Sequence, residues 1–196
     1  TGESWIDAPC LLEKLMSRYR ALDDYHDHAK VVHVTRDADG TERRVEQEIE
    51  CAIEDGALLV ETSAEQARRA VTRNLPLRVP ERVAEAQQQY DLWLAPHMAL
   101  KFADDGAALR PGVDDPYTAT AADAVTVDEK PMVHLELRTN EEEPDEGATL
   151  DFYIDPESML VERVQSREPR PGGGAFRTEL EIRTVEADPI EEDGEA

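Results

Sequence analysis

Apolar and polar positions alternate with a period of two over most of this chain and with a helical period in only a few places. Residues 150–164 show the alternation best. Leu150, Phe152 and Ile154 share one face, Asp151 and Tyr153 the other, and Asp155-Pro156-Glu157-Ser158 then supplies turn chemistry. A second strand leaves from Met159 through Val164, so the stretch reads as a hairpin. Strands are expected on either side of it, at 132–139 and at 176–185, which makes an antiparallel meander. Nearer the N-terminus, 29–35 and 43–53 read as strands joined across Asp37-Ala-Asp-Gly40, with 57–61 as a third and 124–127 as a short fourth. In 43–53 the positions Val45, Gln47, Ile49, Cys51 and Ile53 oppose Arg44, Glu46, Glu48 and Glu50, the pattern of a sheet covered on one side only.

Helical spacing marks three segments. Asp7 caps the first, and Leu11, Leu12, Leu15, Met16, Tyr19 and Leu22 form its stripe, which stops near Asp23 and Asp24. Ser63-Ala-Glu-Gln66 opens a short helix to about Arg73. A longer one is expected over 81–102, apolar through Tyr90, Trp93, Leu94, His97 and Met98 and kinked or split at Pro96. A sheet with one apolar face needs a cover, and these amphipathic helices are the available one. The expected fold is therefore α+β: a curved, unclosed antiparallel β-barrel, or half-barrel, with helices packed on its concave face. One domain over 1–190 and an acidic, unstructured tail over 191–196 complete the division, the acidic character beginning at Glu186.

Charge narrows the function. Among 196 residues, 45 are acidic and 21 basic, a formal charge of −24, which excludes nucleic acid and electrostatic adsorption to anionic lipid as partners. Only Lys14, Lys30, Lys101 and Lys130 among the basic residues are lysine, and scarce lysine with excess acid also fits a surface adapted to high salt. No run approaches the ~18 apolar residues of a membrane span. The chain opens without a basic, apolar, cleavable segment, so any signal peptide is expected to have been removed.

Cys10 and Cys51 are too few for a disulfide framework. Either they meet as a bridge, or both are reduced core thiols. Asp23-Asp-Tyr-His-Asp-His28 is the one cluster resembling metal chemistry. His26 and His28 share a face in an extended chain, while His33 has the opposite parity. The plain alternative is a solvated helix-to-strand junction, and no cofactor is expected. Acids alternate with apolar residues along exposed faces, no catalytic signature such as GxSxG or HExxH occurs, and Gly172-Gly-Gly174 precedes a strand and not a helix, so an enzyme is not expected.

The order of elements, together with Tyr153-Ile-Asp-Pro-Glu-Ser-Met-Leu160 and the closing Ala187-Asp-Pro-Ile190, resembles the LolA-like lipoprotein-carrier superfamily. The likeness runs over about 8–190 as an order of elements, and only the hairpin and the chain end are motif-like. Around 56–62 the superfamily's basic residue before an aromatic pair has no counterpart, and aromatic residues make up only 5% of the chain. The resemblance implies a periplasmic or otherwise extracytoplasmic, non-catalytic binding protein holding a lipid or a lipoprotein acyl chain. An envelope sensor or interaction domain of the same fold, with a filled core and a protein partner, is the alternative. Ile49, Tyr90, Trp93, Met98, Leu135, Leu137, Phe152, Leu180 and Ile182 are then the candidates for a cavity wall. Core and cavity wall use the same residue types, so packing alone can separate the two.

Overall fold

The computed structural model describes residues 6–54, 57–62, 95–103, 117–139, 147–170 and 173–189. Helix α1 (Ala8–Arg20) opens the fold. Asp7 caps it by accepting a 2.8 Å hydrogen bond from the Cys10 amide, and Pro9 sits in the first turn, where a missing N–H costs nothing. Among the described residues eight antiparallel strands follow: β1 (Tyr25–Arg36), β2 (Glu42–Glu54), β3 (Ala57–Thr62), β4 (Thr118–Val127), β5 (Lys130–Arg138), β6 (Thr149–Ile154), β7 (Val161–Pro169) and β8 (Ala175–Ala187). They form one open sheet in the order β3-β2-β1-β8-β7-β6-β5-β4. Two meanders are therefore joined where the last strand pairs with the first, and the sheet does not close into a barrel.

Alternation becomes burial where a cover lies above it. Tyr25, Asp27, Ala29 and Val31 of β1, Ile49, Cys51 and Ile53 of β2, and Leu150, Phe152 and Ile154 of β6 all point to the covered side. Against them lies the α1 stripe Leu11, Leu12, Leu15, Met16 and Tyr19, together with a short helical segment made of a 3₁₀ turn (Pro96–Met98) and helix α2 (Ala99–Phe102). The uncovered side is a charge ladder, with Lys30 3.1 Å from Glu46 and Arg163 3.4 Å from Glu181.

Several boundaries differ from those expected. β1 starts at Tyr25, not residue 29, so His26 and His28 lie inside a strand and not in a junction. β4 and β7 are longer than 124–127 and 159–164, and Met159 sits in the β6–β7 turn with φ +54. In that turn Asp155 takes the Glu157 amide at 2.9 Å and the Lys130 ammonium at 3.0 Å, while the Met159 amide reaches the Asp155 carbonyl. Glu186 and Ala187 belong to β8 and not to a tail, and Asp188 is fixed as well. Its carboxylate accepts the Asp23 and Asp24 amides at 2.8 and 2.9 Å, which ties the sheet's last strand to the end of α1. Pro96 begins the 3₁₀ turn, as a splitting proline does. The expected helix over 63–73, the part of the longer helix over 81–94 and the 191–196 tail lie outside the described residues.

Of the two alternatives for the cysteines, the bridge is not formed, and the reading of two core thiols holds for Cys51 and fails for Cys10. Cys10 is exposed on the outer side of α1, because the helix turns its leucine stripe and not Cys10 toward the sheet. Cys51 is buried, and both thiols are free.

Two glycines show how tightly the sheet's far end is built. Gly174 has φ +90, and a Cβ there would lie 2.2 Å from the Arg36 carbonyl oxygen. Gly40, in the β1–β2 turn, has φ +86 and open space around it. Asp37 links the two regions, 2.8 Å from Arg43 and 2.9 Å from Arg170. Gly40→Ala is expected to cost about 1 kcal/mol from backbone strain alone, and Gly174→Ala at least ~3 kcal/mol because a clash adds to it. Urea unfolding of both variants checks this ordering.

Candidate functional site

The covered face of the sheet is the candidate site. Its floor comes from β2 (Ile49), β5 (Leu135, Leu137), β6 (Phe152) and β8 (Leu180, Ile182), and Met98 descends from the 3₁₀ turn. These seven candidates fall in one contiguous apolar cluster with the α1 stripe, and none is more than 7% exposed. Tyr90 and Trp93 lie outside the described residues. At the far end of β1, β2 and β8 the cover runs out: Val45 is 59% exposed although it shares the inward parity of Ile49. Around it His33 stacks on Phe176 with centroids 5.6 Å apart and bonds Thr178 and Gln47 at 3.1 Å each.

Polar contacts fasten the cover. The Tyr19 hydroxyl accepts the Val161 amide at 3.1 Å, and burial raises the pKa of this phenol well above the usual range, so it stays neutral. Lys101 is buried, its ammonium donating to the Leu22 carbonyl and, at 3.4 Å, to that of Arg20. Burial pulls the Lys101 pKa down. Arg20 returns a bond to the Ala103 carbonyl, so α1 and α2 hold each other. Arg18 spans from α1 to the Ser158 carbonyl at 3.2 Å and to that of Asp188.

A further set of polar side chains lies against the apolar cluster. Asp27 and Cys51 face each other across β1 and β2, and His97 reaches them from the 3₁₀ turn with Nε2 2.9 Å from Asp27 Oδ2. All three residues are fully buried. The Tyr25 hydroxyl stands beside the Asp27 carboxylate, and Asp27 Oδ1 and His97 Nδ1 make no hydrogen bond among the described residues. Groups of this kind each cost about 1–3 kcal/mol. Burial pushes the Cys51 thiol up, and the Asp27 and Glu50 charges push it further. On the opposite side of the same strands, His26 Nε2 is 2.6 Å from Glu50 Oε1 and His28 Nε2 is 3.7 Å from the same oxygen. Two donor sets able to hold a cation thus lie back to back: His26, His28 and Glu50 outside, and Asp27, Cys51 and His97 inside.

Sequence reasoning found His26 and His28 and missed their partners. Glu50 and the Asp27–Cys51 pair were within reach of it: setting Arg36 opposite Glu42 across the Asp37–Gly40 turn and counting back puts His28 opposite Glu50 and Asp27 opposite Cys51. His97 gave no such signal, because nothing local says where the 3₁₀ turn docks.

No family model and no curated protein matches the chain. Solved structures do. The complex of Pseudomonas aeruginosa MucA and MucB matches at 15% identity and TM-score 0.46, over 94% of this chain and 59% of that one. A structure of MucB alone matches at 19% identity and TM-score 0.46, over 100% and 64%. A LolA superfamily protein from Nitrosomonas europaea matches at 10% identity and TM-score 0.25, over 91% and 92%. The chain spans about three fifths of the length of the MucB structures. The architecture of this chain, one open eight-stranded antiparallel sheet with a few helices, stands on its own strand order.

Two histidines give stability opposite pH signatures. His134, on the uncovered side, bonds Asp151 at 2.8 Å and lies 3.5 Å from Asp123, and the Asp151 bond chiefly raises its pKa. Its stabilising contribution is complete below the unfolded value of ~6.5 and is lost as pH rises through the folded pKa. Burial lowers the pKa of His33, so its contribution is present above ~6.5 and is lost as pH falls toward the folded pKa. Denaturant melts across this window are expected to show the stability gap between wild type and His134→Gln shrinking as pH rises, and that for His33→Gln shrinking as pH falls.

Proposed function

We propose that this chain is a non-catalytic binding protein acting outside the cytoplasm, whose apolar concave face takes up a hydrophobic moiety, a lipid or a lipoprotein acyl chain, when part of its helical cover is displaced. The observation that carries this reading is the covered face itself. Ile49 and Ile53 of β2, Leu135 and Leu137 of β5, Leu150, Phe152 and Ile154 of β6 and Leu180 and Ile182 of β8 make a continuous apolar surface, and among the described residues helical pieces lie over it. An acyl chain is worth about 0.8 kcal/mol for each buried CH₂, so it competes on equal terms with the leucine stripe of α1 for that surface. Catalysis is disfavoured by the burial of Cys51, His97 and Asp27, which puts the one nucleophile–base–acid combination noted among the described residues out of a substrate's reach.

A second reading rests on a different observation. The seven inward candidates are packed against one another and against α1, as in a filled interior. A filled half-barrel would serve as an envelope interaction or sensor domain that binds a protein. Its strongly acidic surface would favour a basic partner segment, and the exposed inward end of β2 at Val45 offers an apolar foothold beside His33 and Phe176.

Native mass spectrometry of gently purified protein, followed by solvent extraction, separates the two. A discrete added mass that extraction removes and that is identified as an acyl lipid is the expected result. A bare 22.0 kDa species that also refuses added fatty acid and lipopeptide would sink the ligand reading in favour of the protein partner.

A further inference from the structure

The buried Asp27–Cys51–His97 group has no part in binding an apolar ligand, and a hydrophobic core gives no reason to keep it. Residues at these positions could be apolar without disturbing the alternation of β1 or β2. The three donor atoms lie within 4.8 Å of one another, and the carboxylate presents an unpartnered oxygen, Oδ1, inside a fully buried site. We propose that Asp27, Cys51 and His97 form a binding site for a divalent transition-metal ion, zinc by ligand type, which fastens the segment Pro96–Phe102 to the sheet.

Thiolate, imidazole and carboxylate are the three side-chain groups zinc takes most readily, and two strands plus a docking turn bring one of each. Zinc bonds to these atoms imply tetrahedral edges of about 3.3–3.6 Å, so closing the group requires movement on the order of one ångström. One thiolate and one carboxylate exactly offset the charge of the ion, which lets an acid sit in an apolar core without a net buried charge. The thiol proton leaves to solvent as the sulfur–metal bond forms, and no electron is transferred. Sulfur and nitrogen donors argue against calcium or magnesium, which take oxygen. The second carboxylate oxygen, Oδ1, is available as a further donor. Full burial makes this a closed, structural position and not one open to substrate. The outer trio carries less. It is half-exposed, so its donors are already open to water.

The test uses the full chain carrying Cys10→Ser, which leaves Cys51 as the sole thiol. Cobalt(II) alone is titrated into metal-free protein and followed by absorption. The expected result is one bound equivalent showing a thiolate-to-cobalt charge-transfer band, displaced by zinc and unchanged in His26→Ala, His28→Ala. His97→Ala is expected to weaken binding at least tenfold, and Cys51→Ala to abolish the band. No charge-transfer band in the Cys10→Ser protein overturns the proposal without recourse to a core variant that could fail to fold. So does metal binding that disappears only with His26 and His28.

Discussion

Pairing between the first and last strands is the constraint on which the fold depends. β1 and β8 run together from Tyr25 against Ala187 to Arg36 against Ala175, and they occupy the middle of the sheet. Without that pairing the chain would be two separate meanders, each with one greasy face and two open edges, too small to bury either face alone. With it, Ile49 of β2 and Leu180 of β8 join a single surface with Phe152 of β6, wide enough for α1 to lie across. A register shift between His26 and Asp27 sits within this pairing. It falls where β1 passes beneath the 3₁₀ turn, and there Asp27 is presented to His97.

Cover and floor are held by different physics. The leucine stripe of α1 meets the sheet through apolar burial, which has no preferred direction. Direction comes from a few polar contacts: Tyr19 to Val161, Arg18 to Ser158 and Asp188, and Lys101 and Arg20 between α1 and the α2 segment. Such a cover can slide or lift over an apolar floor if those contacts give way. Under the proposed function, uptake of a greasy guest or docking of a protein partner would draw on that property, and a metal at the Asp27 group would oppose it at one point.

Much of the fold was legible because period-two alternation is a strong signal and the turns carried their own chemistry. The Asp37–Gly40 and Asp155–Ser158 turns stand where their residues put them, and the faces of β5, β6 and β8 follow from alternation alone. Strand ends were less legible. β1 begins at Tyr25 because it pairs there with Ile53 on one side and Ala187 on the other, a gain visible only once register is known. Cys10 lies opposite the stripe of Leu11, Leu12, Leu15, Met16 and Tyr19, so helical spacing by itself points it outward. His97 was read as one more apolar-side residue. Its partner is seventy positions away in sequence, and tertiary docking alone brings the two together.

The place of β8 in the sheet also bears on how the chain is made. A central strand that is last in sequence means β1 leaves the ribosome long before its neighbour exists. The β1–β2 hairpin must therefore persist with one side's backbone groups unpaired until β8 has been made, a condition that invites pairing with other chains. The lysine, histidines and arginine along β1 and the acids of β2 keep that early hairpin charged, and the excess acidity of the whole chain sets one nascent copy against another. The surface charge that reads as solubility in the finished protein is thus also a safeguard during the interval when the middle of its sheet is still an edge.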